Sequence, residues 1–169
     1  MPVPQSIYQS EEHATVSEPC SHKEVFLLVY PPRNNDATRH DLHWSLAWEV
    51  SEGHWKYVQV NVRREEDDHP DETPQLQRCA YCGACTKSED GTALGARLCS
   101  LGRLSHQSRR RIEEIARSVP VCPPGGLWSC QHWILCVLGR LADDGIICQR
   151  VLEDTVGCAY NAWNDVLQL

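Results

Sequence analysis

Long apolar runs are missing from this chain, and so is any excess of positive charge. No apolar stretch approaches the roughly 20 residues that a helix needs to cross a bilayer; Val25–Val29 is typical of those present. The opening segment MPVPQSIYQSEEHATVSEPC has no apolar core of the kind a secretory leader needs. The expectation is a cytoplasmic protein with no membrane partner. Acidic residues outnumber Lys and Arg by 23 to 16, a formal charge of −7. This speaks against nucleic acid as a general partner, because such binding rests on neutralising phosphates. The short basic run Arg109-Arg110-Arg111 is followed by Glu113 and Glu114 and reads as the solvated side of a helix. Internal repeats are absent as well.

What is present is enough for one domain with a core. The chain has 169 residues, 41% hydrophobic and 23% charged, which is ordinary for a globular protein. Its 10 cysteines are less ordinary. In a reducing compartment they read as metal ligands, nucleophiles or small buried residues rather than as disulfides.

Residues 1–22 are polar and aperiodic and read as a flexible N-terminal arm, with residues 23–169 forming the domain. EVFLLVYPP is a buried strand closed by Pro31-Pro32, followed by the loop RNNDATRHD. HWSLAWEV alternates strictly, with Trp44, Leu46, Trp48 and Val50 on one face and His43, Ser45, Ala47 and Glu49 on the other. A turn at Glu52-Gly53 returns the chain as WKYVQVNV, completing a hairpin. The charge run RREEDDHPDETPQ and the stretch CAYCGACTKSEDGTALGA read as a cysteine-rich insertion over about residues 64–102. SHQSRRRIEEIARSVP predicts a helix capped by Ser105, with Ile112, Ile115 and Ala116 inward. After CPPGG, a second helix carries Cys130, Trp133, Ile134, Val137, Leu138 and Leu141 at helical spacing and stops at Gly145. IICQRVLE fits a strand or a helix start, and the tail is weakly helical. The fold class is α+β, an antiparallel sheet with helices packed on one side.

Cys130 follows Ser129, a candidate N-cap, so it falls in the first turn of its helix. Free backbone N–H groups and the helix dipole there favour a thiolate and can later hold an oxyanion. Cys136, in the middle of the same helix, reads as a small buried residue. A thiol nucleophile also needs a base, and His43 at the head of the alternating strand is the candidate, with small Ser45 and Ala47 leaving room on its face. The alternative is that Cys130 packs in the core with Trp133 and Val137.

HWSLAWEV resembles the HWALYVG-type strand of the permuted papain-like thiol enzymes, an NlpC-type group that includes lecithin:retinol acyltransferase. WSCQHWI resembles the NCEHFV helix start of the same group. The two blocks are also similar to those of small fungal proteins with HW and a later C-x-x-W. The resemblance covers under a fifth of the chain. It implies a permuted papain-like fold, His43 as base and Cys130 as nucleophile, with histidine first in the chain as here. Ser129, Gln131 and Trp133 stand where the family has Asn, Glu and Phe, and the family's membrane-anchoring tail has no counterpart. These departures weigh against lipid substrates more than against Cys–His chemistry.

An imidazole base needs a partner on its other ring nitrogen. The family carries a second histidine, and His54 would be its counterpart. The tight turn puts His54 at the far end of the hairpin, roughly 25 Å from His43 at about 3.3 Å per residue. The hairpin instead brings residues near 61 opposite His43, so Asn61 is preferred as orienter, with Gln59 second. Gln131 is a candidate contact for the oxyanion. Cys79, Cys82 and Cys85 form overlapping C-x-x-C units, and with Cys99 they are candidate ligands of a structural zinc; His69 and His106 are further candidates. The expected activity is that of a thiol hydrolase or acyltransferase on a small-molecule or acyl substrate, with no cofactor required for the chemistry. The rival is a non-catalytic interaction module built on the six tryptophans and the zinc loop.

Overall fold

A computed structural model describes residues 17–31, 42–64, 77–88, 95–121 and 129–166, with backbone alone at 61–64, 77–79 and 163–166. The expected loops at 33–41, 65–76 and 122–126, the first 16 residues of the arm, His69 and the thiol of Cys122 lie outside the described residues.

The apolar run forms β1 (Lys23–Val29). The alternating segment forms β2 (Trp44–Ser51), and its return is β3 (His54–Val58). Gly53 closes the hairpin at φ +69°, a backbone state that glycine adopts without a Cβ clash. Next come β4 (Asn61–Arg64), β5 (Gln77–Ala80), β6 (Cys85–Ser88) and β7 (Arg97–Leu104). Three helices follow: α1 (His106–Ser118), α2 (Cys130–Asp143) and α3 (Gln149–Val166).

The main sheet is antiparallel, in the order β6-β3-β2-β1-β7, and β4 pairs with β5 in a second, two-stranded sheet. The α+β layout with an antiparallel sheet is thus as the sequence predicts. The insertion is not. Two of its segments are the edge strands β6 and β7, and Tyr81 between β5 and β6 lays its ring 5.1 Å from that of Trp133 on α2. The residues read as an appended loop therefore complete the sheet and cover part of the core.

The strand alternation has its expected consequence. Val25, Leu27 and Val29 of β1 join Trp44, Leu46, Trp48 and Val50 of β2 under the helices, where Ile112, Ile115, Trp133, Ile134, Val137, Leu138 and Leu141 meet them. The opposite face carries a smaller cluster of Leu28, Ala47 and Tyr57, flanked by Phe26, Tyr30, Trp55 and Cys85.

Helix ends follow local chemistry. Ser105 Oγ accepts from the Ser108 N–H at 3.1 Å and starts α1. Gly145, at φ +70°, donates back to the Ala142 carbonyl at 3.0 Å as α2 ends. The segment that fits a strand or a helix start is not a strand: a bend at Ile146 and Ile147 leads through Cys148 into α3, which takes up the rest from Gln149. Thr155 Oγ1 of α3 donates to the Ser100 carbonyl at 2.9 Å, and Cys158 forms a disulfide with Cys99 of β7. That bond corrects the reading of Cys99 as a metal ligand and of Cys158 as a small buried residue rather than as disulfide partners.

Arg109 corrects another expectation. It is fully buried, not solvated. Its Nε donates to Glu18 Oε1 at 2.7 Å, and its terminal nitrogens donate to the carbonyls of Pro19, Ser21 and Leu104 at 2.7–2.9 Å. Glu18 also accepts from Trp48 Nε1 at 2.9 Å and from Lys56, which in turn pairs with Glu113 at 2.9 Å. The last residues of the arm are therefore a docked strap between α1 and the β2–β3 hairpin. Burial by itself would raise the Glu18 carboxyl, but the hydrogen bonds from Lys56 and Arg109 outweigh it and hold the group below the usual carboxylate range.

Candidate active site

Cys130 is the first residue of α2, preceded by Ser129 in extended conformation. His132 Nδ1 accepts from the Ser129 N–H at 3.0 Å, which fixes the entry into the helix. Cys130, half-buried, thus belongs to the first turn of α2, the part of a helix where a negative sulfur is favoured. Its Sγ is 3.9 Å from the carbonyl oxygen of Leu42. Gln131, only 5% exposed, donates from Nε2 to the same carbonyl at 2.9 Å. Leu42 immediately precedes His43. One carbonyl therefore ties the start of α2 to the chain that carries the candidate base.

His43 sits just ahead of β2. Its carbonyl accepts from the Tyr30 N–H at 2.9 Å, which carries the β1–β2 pairing one step past the strand end. Its Nε2 lies 3.0 Å from Gln59 Oε1. An amide oxygen only accepts, so Nε2 carries the proton in this contact. The Tyr30 ring lies 5.4 Å from the imidazole at a tilt of 38°. Its hydroxyl is 3.4 Å from Oγ of the fully buried Ser45. Burial raises the Tyr30 phenol above its ordinary value despite the contact with Ser45, so the ring is neutral at physiological pH.

The remaining candidates fall as follows. The β2–β3 register, with Leu46 opposite Val58, would bring residue 61 opposite His43 if it continued. It does not continue. β3 ends at Val58, and Asn61 opens β4 opposite Ala80 in the second sheet. The Asn61 side chain lies outside the described residues, and the contact to His43 is made by Gln59, the second choice. His54 pairs with Ser51 at the turn and has Nδ1 3.1 Å from the Glu52 carbonyl, at the far end of the hairpin from His43. Gln131 points at the Leu42 carbonyl, which gives it a structural bond at this site. The expected approach of a helix end over Ser45 and Ala47 is not seen among the described residues: the cluster around Ala47 contains no helix residue.

Of the cysteine set expected to hold zinc, Cys85 and Cys99 are placed apart. Cys85 of β6 and Cys99 of β7 stand on opposite edges of the five-stranded sheet and on opposite faces. Four strand spacings put those edges roughly 19 Å apart at about 4.8 Å each, and Cys99 is already bonded to Cys158. Cys82 is exposed, and the Cys79 side chain lies outside the described residues. Among the described residues no group of three or more His, Cys, Asp or Glu is placed to hold a metal ion. Cys136 points outward and is exposed, as are Cys20, Cys82 and Cys148. Access alone therefore does not single out Cys130.

Tyr30 is the site residue that sequence reasoning missed. The available signal was its place one residue past the apolar run, opposite His43 in an antiparallel pair. Among the described residues no helix is long and apolar enough to cross a membrane. Set against protein-family models, curated proteins and solved structures, the chain matches none of them.

Proposed function

We propose that this protein is a cysteine-dependent acyl-transfer enzyme of the permuted papain-like kind, acting on a small-molecule amide or ester through a thioester. Cys130 is the nucleophile, His43 the general base, and Gln59 takes the orienting role first expected of Asn61. The observation that carries the reading is the shared anchor at Leu42. It brings a first-turn thiol against the residue next to a histidine whose Nε2 is already held by an amide oxygen.

On this reading the roles are as follows. With Nε2 bonded to Gln59, His43 exchanges protons through Nδ1. The Cys130 S–H proton passes to Nδ1, giving a thiolate and an imidazolium. The thiolate attacks the acyl carbon; a C–S bond forms and the carbonyl π pair moves to oxygen. N–H groups at the start of α2 stabilise that oxyanion. The tetrahedral carbon then expels the amine or alcohol, which takes the proton from His43. Water or another acceptor gives a proton to His43, attacks the thioester and breaks the C–S bond. This chemistry needs no cofactor.

The test is the pH dependence of alkylation by limiting iodoacetamide, read at each cysteine by peptide mapping. Cys130 should react with an apparent pKa at least a unit below the free-thiol value of about 8.5, and His43→Ala should move it up toward that value. Exposed Cys136 is the internal reference. Equal rates and equal profiles at Cys130 and Cys136 would sink the reading.

A further inference from the structure

We propose that Tyr30 is a positioning residue for His43, its ring holding the imidazole in place and favouring the imidazolium form that accompanies the Cys130 thiolate. The inference rests on the reading of Cys130 and His43 given above. It deepens that reading by naming a member of the site that the sequence motifs do not contain.

Three contacts support it. The Tyr30 N–H fixes the His43 carbonyl at 2.9 Å, so backbone and ring belong to the same residue pair. His43 lies outside β2 proper, where the ladder alone would leave it less restrained. The rings meet at 5.4 Å and 38°. An aromatic face attracts a cation within about 6 Å of its centroid, so the ring interacts more favourably with imidazolium than with neutral imidazole. The Tyr30 hydroxyl is 3.4 Å from Oγ of buried Ser45, a contact that shows which way the ring points but is too long to hold it there. Gln59 holds one ring nitrogen of the imidazole and the Tyr30 ring packs beside it at a tilt; the two contacts together restrict its movement.

The titratable groups to be reckoned with come from three elements. Tyr30 extends β1, Cys130 opens α2 against Leu42, and Cys85 of β6 acts on the Tyr30 phenol from the same sheet face. Ser45 and Gln59 supply neutral polar contacts.

The experiment uses Tyr30→Phe and Tyr30→Leu in the full chain, with the Cys130 alkylation profile as readout. Phe keeps the ring and loses the hydroxyl; Leu keeps apolar bulk and loses the ring. Tyr30→Leu should raise the apparent pKa of Cys130 by roughly 0.5–1 unit, a three- to tenfold loss of thiolate below the pKa. Tyr30→Phe should stay close to the parent profile. Thermal unfolding of both variants checks that the fold persists. A general packing defect would lower stability without moving the profile, and that outcome overturns the inference. So does a shift in which Phe follows Leu, because the hydroxyl and not the ring would then be responsible. His43→Ala separates the two levels of the argument. If it moves the profile and Tyr30→Leu does not, the inference alone fails. If neither moves it, the thiol-enzyme reading fails with it.

Discussion

Replacing Glu18 by Gln tests how the arm is held. The Glu18 carboxylate faces a fully buried guanidinium, and its side chain is itself only 8% exposed. Removing one partner of a buried ion pair costs about 3–5 kcal/mol because the remaining charge stays in the core. Gln retains an oxygen for Arg109 Nε, and three backbone carbonyls still accept from Arg109, so the low end applies. About 3 kcal/mol in a domain of this size lowers Tm by roughly 6–12 °C. The pH dependence gives a second reading. The Glu18 pKa is lower in the folded protein than its ordinary 4.5. Its contribution is therefore fully present above about pH 4.5 and is lost as pH falls through the folded value. Glu18→Gln removes that group from the titration, so the variant should lose less stability than the parent on acidification through this window. The assay is thermal unfolding at several pH values from neutral to acidic. A variant within about 1 °C of the parent, with an unchanged acid slope, would show that Arg109 is satisfied by carbonyls alone.

Gln59→Ala should slow Cys130 alkylation by about 3–10-fold below its apparent pKa, the worth of one neutral hydrogen bond, whereas Asn61→Ala should leave it within about twofold; the reverse order would restore Asn61 to the site. Gln131→Ala removes the bond to Leu42 and should cost about 1–3 kcal/mol in denaturant unfolding, with a rise in the apparent pKa of Cys130 as the helix start loosens; a full-stability variant would show that the Leu42 anchor is dispensable. The Cys99–Cys158 bond spans 59 residues, and in the chain-entropy view its loss should cost up to about 4 kcal/mol. A dithiol reductant able to reach it should lower the Tm of the parent and leave a Cys99→Ala, Cys158→Ala double variant unmoved. Equal Tm values for parent and double variant without reductant would refute the stabilising role.

The features legible in the sequence are those that local chemistry determines. Alternation at Trp44, Leu46 and Trp48 assigns a buried face whatever lies above it, and Glu52-Gly53 closes a hairpin by backbone geometry alone. Ser105 and Gly145 mark helix ends for the same reason. The misread features depend on partners far away in the chain. Arg109 looks solvated beside Arg110 and Arg111; its burial depends on Glu18, 91 residues earlier. β6 shows no strong alternation of its own, that of β7 is broken by a register shift against β1 between Ser100 and Gly102, and the place of each strand is set by β3 and β1. α3 hides its packing face because small residues fill it: Thr155, Ala159 and Ala162 are buried. Asn61 stands opposite His43 only in a hairpin of regular register, and β3 ends at Val58, before that register reaches it.

The candidate site joins two separately determined parts of the fold. β1 sets His43 through the Tyr30 amide and ring, and Gln59 sets its tautomer. α2 sets Cys130, but only after its own stripe is seated: Trp133 Nε1 donates to the Val119 carbonyl at 3.2 Å and Arg140 to Ser118 Oγ at 2.7 Å, fixing α2 against the end of α1. The Leu42 carbonyl is where the two parts meet. Neither the strand motif nor the helix motif contains Leu42, because a backbone acceptor leaves no mark on residue choice at its own position. The mark falls on its donor instead. Gln131 is a long amide buried in the first turn of an apolar helix, a position where an unbonded amide would cost about 1–3 kcal/mol. A polar residue kept at such a place is the sequence trace of the joint, and it accounts for Gln131 by structure before any contact with substrate is invoked.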